Sequence, residues 1–234
     1  MLTGKPWTGS AVASRSQRLA QTPSVHVRTK HAAKASSATI QPANPGTTGS
    51  KEGAPTRKLI VLRHADSAFP QGTRDHERPI SAEGKLQAIS IAHELKKAGW
   101  EPDLVLASNS KRTKQTLHEM SKVMESLEDV DTHLMGSLYT VAALDGQTRQ
   151  HMQECMKEVV HDKSHFCVML VGHNKGWEEA ASQLAGQAVK LQTASAALLQ
   201  VTAESWADVL QGEDARWRLV GILEALGPQR QPSV

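Results

Sequence analysis

The sequence predicts an α/β fold, a three-layer α/β/α sandwich whose central sheet is mostly parallel and has an antiparallel edge strand. From about residue 56 onward, short runs of β-forming residues alternate with amphipathic segments, which is typical of parallel strands joined by helices. Two of these runs, Lys58–Arg63 and Phe166–Val171, are each followed closely by a histidine. The last two runs, Ala196–Val201 and Trp217–Ile222, are separated by a turn around Trp206, which favours an antiparallel pair at one edge.

Composition limits the classes of protein that this chain can belong to. The hydrophobic fraction of 39% in 234 residues is sufficient for one sizeable core. No apolar run approaches the roughly 20 residues of a membrane-spanning helix, so we expect no membrane partner. The two cysteines, Cys155 and Cys167, lie in helix-like and strand-like segments, which indicates buried thiols and a reducing compartment.

The first 55 residues differ in composition from the rest of the chain. They contain seven basic residues and one acidic residue, Glu52, and are rich in Ser, Thr, Ala, Gly and Pro. Such a segment lacks the apolar surface for a core of its own, and its composition is that of an organelle transit peptide. We expect a disordered tail over 1–55, a globular domain over 56–226 and a flexible C-terminus over 227–234. The favoured location is the chloroplast, with mitochondrion and cytoplasm as alternatives.

The remaining residues, with 20 basic and 23 acidic side chains, carry a net charge of about −3. This mild acidity argues against a general nucleic-acid-binding protein. The basic character of the chain therefore belongs to its first segment.

The first half of the domain predicts two strand–helix units. The strand Lys58–Arg63 is followed by a polar loop and by a helix that opens at Ser81 and ends at Gly99. A second strand, Asp103–Ala107, leads into a helix that continues to about Leu127. Both helices follow the carboxyl end of a strand, where ligands bind in open α/β sheets.

The second half predicts further alternation. A short extended segment at Thr132–Leu134 and a loop at Leu138–Val141 come first, followed by a helix at about Gln147–Val160. The strand at Phe166–Val171 then leads into a helix at Trp177–Leu184. We find no internal repeat and no sign of a second domain.

Basic side chains converge on one edge of the predicted sheet. Arg63 and His64 end the first strand, Arg112 lies at the start of the second helix, and His173 follows the Phe166–Val171 strand. Guanidinium and imidazole donors beside helix N-termini create a site for a phosphate group. A lone histidine at a strand end is more often structural, but the combination favours an anion site. The chain has no glycine-rich P-loop, so a nucleotide kinase has little support.

Four segments resemble, in chain order, the signature motifs of the histidine phosphatase superfamily, also called phosphoglycerate-mutase-like: Leu62–Ser67, Asp75–Gly84, Ser108–Thr116 and Val171–Asn174. The segment around Tyr139 and the stretch Leu191–Leu199 are most similar to its small SixA-type phosphohistidine phosphatase branch. The resemblance covers about residues 57–222.

The resemblance implies a role for each matching position. His64 corresponds to the nucleophile, which accepts the phosphoryl group as a covalent phosphohistidine, and Arg63, Arg112 and His173 correspond to the rest of the phosphate pocket. Because His64 must attack with a neutral nitrogen, we expect a main-chain carbonyl to fix its tautomer. We expect His173 to act as a charged donor to the phosphoryl oxygens.

The general acid and the outer pocket are less strongly determined. Asp75 is the first candidate for the general acid and Asp66 is the second. A phosphoramidate leaving group can already carry a proton, so its departure depends less on this acid. Arg78 is expected at the pocket rim, or paired with Asp75 or Glu77. Ser67 and Asn174 are expected to bind substrate, or only to cap the turns on which they lie.

These inferences predict a metal-independent phosphatase that uses a phosphohistidine intermediate and acts on protein phosphohistidine. The alternatives are a phosphatase for small phosphate monoesters and a catalytically idle phosphate- or protein-binding module on the same fold. No cofactor is expected. His161 and His165 lack the carboxylate or cysteine partners of a metal site, so no metal is expected either. The short connection before the Phe166–Val171 strand predicts a shallow, open pocket that a phosphorylated protein or a small phosphorylated substrate can enter.

Overall fold

The computed structural model describes residues 53–140, 148–160, 164–211 and 217–225. The strands of this part of the chain are β1 (Thr56–Arg63), β2 (Leu104–Ser108), β3 (Thr132–Met135), β4 (Cys167–Gly172), β5 (Ser195–Thr202) and β6 (Arg218–Glu224). Its α-helices are α1 (Ala82–Lys97), α2 (Lys111–Ser121), α3 (Ser137–Thr140), α4 (Thr148–Val159), α5 (Asn174–Ala185) and α6 (Trp206–Gln211). The expectations for residues 1–52 and 226–234, and for His161, lie outside the described residues.

The six strands form one sheet in the order β3-β2-β4-β1-β5-β6. Four of them, β3, β2, β4 and β1, are parallel to one another, whereas β5 runs antiparallel to both β1 and β6. The mostly parallel sheet with an antiparallel pair at one edge is therefore confirmed. Strand β1 lies inside the sheet, paired on both sides.

Two hydrophobic cores cover the two faces of this sheet. Successive side chains of a strand point to opposite faces, so Leu59 and Val61 pack with α4, α5 and α6, while Ile60 and Leu62 pack with α1 and α2. Helices on both faces of the sheet make three layers, as the sequence predicts. Within the described ranges, no helix is both long and apolar enough to cross a membrane.

Helix α1 begins and ends at the signals that the sequence contains. The Oγ of Ser81 accepts a hydrogen bond from the Gly84 amide at 2.9 Å, and Gly99 adopts a left-handed conformation just beyond the last turn. A Cβ at Gly84 would overlap the main-chain oxygen of Asp66. The glycine therefore lets α1 lie directly against the loop that follows β1.

Several predicted element boundaries are wrong. Helix α2 ends at Ser121 and is followed by a separate 3-10 turn, Glu125–Glu128, because apolar spacing of three or four residues suits both kinds of helix. Helix α5 begins at Asn174 rather than at Trp177, since Gly176 weakens the helical signal in its first turn.

Two short helices occur where the sequence predicts irregular structure. Helix α3 takes up most of the predicted loop at residues 138–141, of which Val141 lies outside the described residues. Helix α6 replaces the turn around Trp206, whose indole donates a hydrogen bond to the His165 carbonyl at 2.7 Å. Both cysteines are buried and free, as expected.

Candidate active site

The site lies at the carboxyl ends of three adjacent strands, β2, β4 and β1. Arg63 ends β1 and His64 follows it, while His173 follows β4 and occupies the position just before the first residue of α5. Arg112 comes from the first turn of α2, directly beyond β2. The ring centroids of the two histidines are 5.2 Å apart. The structure thus brings together the four basic residues that the sequence analysis selected.

His64 has one nitrogen fixed by the main chain and the other directed at an arginine. Its Nδ1 lies 2.7 Å from the carbonyl oxygen of Ala65. Because a carbonyl only accepts, Nδ1 carries the hydrogen and Nε2 keeps its lone pair. Arg112 donates from Nε to this Nε2 at 3.1 Å. The predicted fixing of the tautomer by a main-chain carbonyl is confirmed.

The electrostatic surroundings keep His64 neutral. Burial, followed by the positive charges of Arg112 and Arg63, lowers the pKa of His64 from its usual 6.5 to about 4, against the opposing effect of the Ala65 hydrogen bond. At neutral pH the ring is therefore an uncharged imidazole with an available lone pair on Nε2, which is the form a nucleophile requires.

His173 is also neutral, which corrects the expectation of a charged donor. Its Nδ1 lies 3.2 Å from Nη2 of Arg112, which can only donate, and its Nε2 lies 2.8 Å from Oγ of Ser108. The proton therefore lies on Nε2. Burial, together with the nearby His64 and Arg112, lowers the pKa of His173 to about 3, because a second positive charge in this buried cluster is unfavourable.

Asp75 is held by donors from three side chains. Its Oδ2 accepts from the Tyr139 hydroxyl at 2.7 Å and from Nη2 of Arg112 at 3.0 Å, and its Oδ1 accepts from Nη1 of Arg78 at 3.0 Å. Partial burial opposes ionisation, but these hydrogen bonds outweigh it and hold the pKa of Asp75 well below its usual range. The general-acid role of Asp75 stays a prediction, and its contacts favour the carboxylate.

Arg63 and Arg78 are both fixed by the protein. Arg63 donates from Nη1 to the carbonyl of Leu191 at 2.8 Å. Arg78 donates to Oγ of Ser67 at 2.6 Å as well as to Asp75. Both alternatives given for Arg78 are therefore realised, since it pairs with Asp75 and also lines the pocket.

A pocket of about 340 Å³ opens over the two histidines. Its lining residues are Arg63, His64, Asp66, Ser67, Phe69, Arg78, Arg112, His173, Asn174 and Thr193. Three guanidinium groups against one carboxylate make this an anion-binding surface. Every predicted site residue except Asp75 lines it, and Asp75 contacts the pocket through Arg112 and Arg78.

Four residues with a place in the site were not selected from the sequence. Ser108 could have been found, because it also stands at the carboxyl end of a strand. Tyr139 lies in a segment that carries the family resemblance, but no role was assigned to it, and Phe69 lies in a segment without a chemical motif. Thr193 precedes Ala194, a left-handed residue whose amide donates to the His64 carbonyl at 3.1 Å, and alanine gives no sequence signal for that conformation.

A neutral histidine among arginines, at a sheet edge beneath an open anion pocket, can bind a phosphoryl group and accept it on nitrogen. The family model of the histidine phosphatase superfamily (branch 1) matches residues 59–165, and this chain belongs to that superfamily.

One relative and several solved structures are similar to this chain. A protein of Arabidopsis thaliana, named as chloroplastic and uncharacterised, is 42% identical over 172 residues, which span 72% of this chain and 78% of that protein. A structure from Nakamurella multipartitia, assigned as a phosphohistidine phosphatase SixA, has a TM-score of 0.60 at 21% identity and covers 74% of this chain and 99% of its own. The protein histidine phosphatase SixA complexed with tungstate has a TM-score of 0.54 at 18% identity, covering 71% of this chain and 96% of its own. These structural likenesses show the shared fold.

Among the described side chains, no group of three or more His, Cys, Asp or Glu is placed to hold a metal ion.

Proposed function

We propose that this protein is a metal-independent phosphatase that transfers the phosphoryl group of a protein phosphohistidine to His64 and then to water. The observation that carries the proposal is the Nε2 lone pair of His64, fixed by the Ala65 carbonyl and facing Arg112. A neutral imidazole with a fixed tautomer is ready to attack phosphorus.

The reaction has two steps. Nε2 of His64 forms a bond to phosphorus while the bond to the leaving atom breaks, and that atom keeps the electron pair. Water then attacks phosphorus and the bond to Nε2 breaks, so His64 recovers its lone pair and inorganic phosphate leaves as the dihydrogen form with both protons of the water. Arg63 and Arg112 donate hydrogen bonds to the phosphoryl oxygens, whose charge is spread over all three in transfer. Arg112 must first turn its Nε from Nε2 of His64 toward these oxygens.

The ionised state of Asp75 supports a phosphoramidate substrate. An alkoxide leaving group needs a proton from the enzyme, and three donors oppose protonation of Asp75. The imidazole of phosphohistidine leaves as a neutral molecule when its other nitrogen already carries a proton. The likeness in fold to SixA phosphohistidine phosphatases is consistent with this substrate.

The open pocket supports a substrate that is part of another protein. Phe69, which lines the pocket, is 79% exposed, so the site is reached directly from the surface. A phosphohistidine side chain on a partner protein can enter such a site without its backbone entering.

A phosphatase for small phosphate monoesters is the second candidate, and the position of Asp66 favours it. This carboxylate lines the pocket and accepts a hydrogen bond from Oγ of Ser81 at 2.5 Å. A protonated Asp66 would supply the proton that an alkoxide requires. The two candidates therefore differ in whether turnover depends on Asp66.

Activity assays on the full chain test the proposal. His64→Ala should abolish turnover of a phosphohistidine-bearing protein, whereas His93→Ala, which changes an exposed histidine of α1, should leave it unchanged. A chelator should have no effect. Equal activity of the His64→Ala variant would contradict the role of His64, and turnover of monoesters far above that of phosphohistidine would contradict the substrate.

We also propose a chloroplast location. The composition of residues 1–55 and the chloroplastic name of the Arabidopsis relative support it. Residues 1–55 fused to a fluorescent protein should accumulate in chloroplasts, and a diffuse cytosolic signal would contradict the proposal.

A further inference from the structure

One aromatic side chain at the mouth of the pocket is exposed to an unusual degree. Phe69 lines the pocket and is 79% exposed. This exposure is unfavourable, because burying a phenylalanine ring away from water lowers the free energy of the folded protein. The Cζ atom of Arg78 lies 3.0 Å from the centroid of this ring. One face of the ring is thus covered by a guanidinium group.

The chain beside Phe69 is held in place by the main chain. The amide of Ala68 donates to the carbonyl of Pro79 at 2.9 Å, and Ser67 forms an isolated antiparallel bridge with Ile80. Arg78 adds a bond from Nε to the Ala68 carbonyl at 3.2 Å. The exposure of Phe69 is therefore a property of a fixed loop five residues after His64.

Arg78 mainly holds the ring of Phe69 in place, because its nitrogen atoms already donate hydrogen bonds within the protein. Its Nε, Nη1 and Nη2 atoms donate to Ala68, to Asp75 and to Ser67 respectively. With all three nitrogens engaged, the guanidinium plane is fixed against the ring of Phe69. Because the ring of Phe69 is already held rigid, little conformational entropy is lost when a second ring stacks on it.

We propose that Phe69, supported by Arg78, is a subsite for a flat ring bonded directly to the transferred phosphorus, namely the imidazole of phosphohistidine. This inference rests on the proposed function and defines its leaving-group specificity. Aromatic rings stack favourably in offset or edge-to-face arrangements. The pocket volume of 340 Å³ lies at the small end of the range for ligand sites, roughly 300 to 1,000 Å³, which suits a phosphoryl group with one ring.

Two small substrates, one with a ring and one without, measure how much the ring contributes to turnover. Phosphoimidazole and phosphoramidate both contain a phosphorus–nitrogen bond, but only the first carries a ring. Phe69→Ala should lower kcat/KM for phosphoimidazole about fivefold, which corresponds to about 1 kcal/mol, and should leave phosphoramidate within about twofold. Phe69→Trp should retain the preference for the ring.

The chain contains a matched control. Phe166, its second phenylalanine, is 47% exposed and also lies under an arginine, with Cζ of Arg57 at 4.8 Å, but it does not line the pocket. Phe166→Ala should change neither rate. Equal losses with both substrates in Phe69→Ala, or equal effects of the two alanine variants, would overturn the subsite.

Binding measurements separate this inference from the proposed function. Titration calorimetry with phenylphosphonate and methylphosphonate needs no turnover, and the wild-type protein should prefer the phenyl compound while Phe69→Ala should not. A preference that survives in Phe69→Ala, or its absence in the wild type, overturns the subsite. The wild-type protein can show the preference and Phe69→Ala can lack it, while the protein fails to hydrolyse phosphohistidine. That outcome contradicts the proposed function but not the subsite.

Discussion

At the residue scale, Arg112 connects the groups on which the chemistry depends. One guanidinium donates to His64, to His173 and, through two nitrogens, to the carbonyl and the carboxylate of Asp75. An arriving phosphoryl group must take over some of these hydrogen bonds. Its oxygens then replace His64 as the acceptor for Nε of Arg112, while the bonds to Asp75 keep the guanidinium beside the site.

Ser108 offers a test of how precisely His173 is held. Its buried Oγ is the partner of Nε2 of His173 at 2.8 Å. Ser108→Ala removes this partner. We expect kcat to fall about tenfold, because a small misplacement of a group in the active site slows the reaction, and we expect KM to change less. Ser108→Thr should restore part of kcat, and the ¹⁵N shifts of His173 should report the altered ring in the alanine variant.

Ser110 provides the control for this prediction. It is equally buried, but its hydroxyl bonds to Thr113 at 2.9 Å and not to a histidine. Ser110→Ala should keep kcat within about twofold. If both alanine variants lose activity to the same extent with unchanged His173 shifts, the loss reflects general destabilisation and Ser108 does not position His173.

The sequence predicts which residues meet but not all of their charges. The selection of His64 and its tautomer was possible because a strand end offers few hydrogen-bond partners other than the main chain. The charge of His173 was not predictable, because it depends on burial and on Arg112, which is 61 positions away. Two of the three side chains that lower the pKa of Asp75 are likewise distant, Tyr139 by 64 positions and Arg112 by 37.

At the scale of elements, the junction of β4 and α5 places His173. A Cβ at Gly172 would overlap the ring of Trp177, which is fully buried one turn into α5. The missing side chain lets this indole pack directly beneath the strand end. The centroids of the His173 and Trp177 rings are 6.3 Å apart, so the packing of α5 and the position of His173 are linked.

Gly172→Ala should therefore reduce both stability and activity. We expect the free energy of unfolding to fall by about 1 to 3 kcal/mol from overpacking, as measured by urea denaturation, together with a reduced kcat. The double variant Gly172→Ala/Trp177→Leu should recover part of the activity. Gly136→Ala is the control, because a Cβ there meets nothing within 4 Å; equal losses in both alanine variants would contradict the explanation.

The elements that sequence analysis missed are short. Periodicity needs several turns to be recognised, and α3 and α6 have four and six residues. Helix α6 is fixed by tertiary contacts, since Trp206, Val209 and Leu210 are all buried against the core. By contrast, the buried central strands and α1 were predicted because their apolar spacing and caps are local signals.

At the scale of the whole molecule, the two neutral histidines make stability depend on pH. Their pKa values in the folded protein are about 4 for His64 and about 3 for His173, below the usual 6.5. Between pH 6.5 and 4 the unfolded chain therefore binds more protons than the folded one. The stabilisation is fully present above pH 6.5 and is lost as the pH falls toward 4.

Urea denaturation at pH 7, 6 and 5 measures this effect. Each histidine should contribute a slope of up to about 1.4 kcal/mol per pH unit in this range. His64→Gln and His173→Gln should each flatten the dependence, whereas His93→Gln, at an exposed position, should leave it unchanged. Identical slopes in all four proteins would show that the two buried histidines do not have these lowered pKa values.

The position of β1 has a consequence for synthesis on the ribosome. This strand is made first among the described strands, yet it pairs with Cys167–Gly172 and with Ser195–Thr202, both more than 100 residues later in the chain. Until β4 has emerged, β1 is an unpaired apolar segment, and its second edge stays open until β5 follows. Such long-range pairing is slow and prone to aggregation. Closure of the sheet around β1 therefore depends on segments that are made more than 100 residues after it.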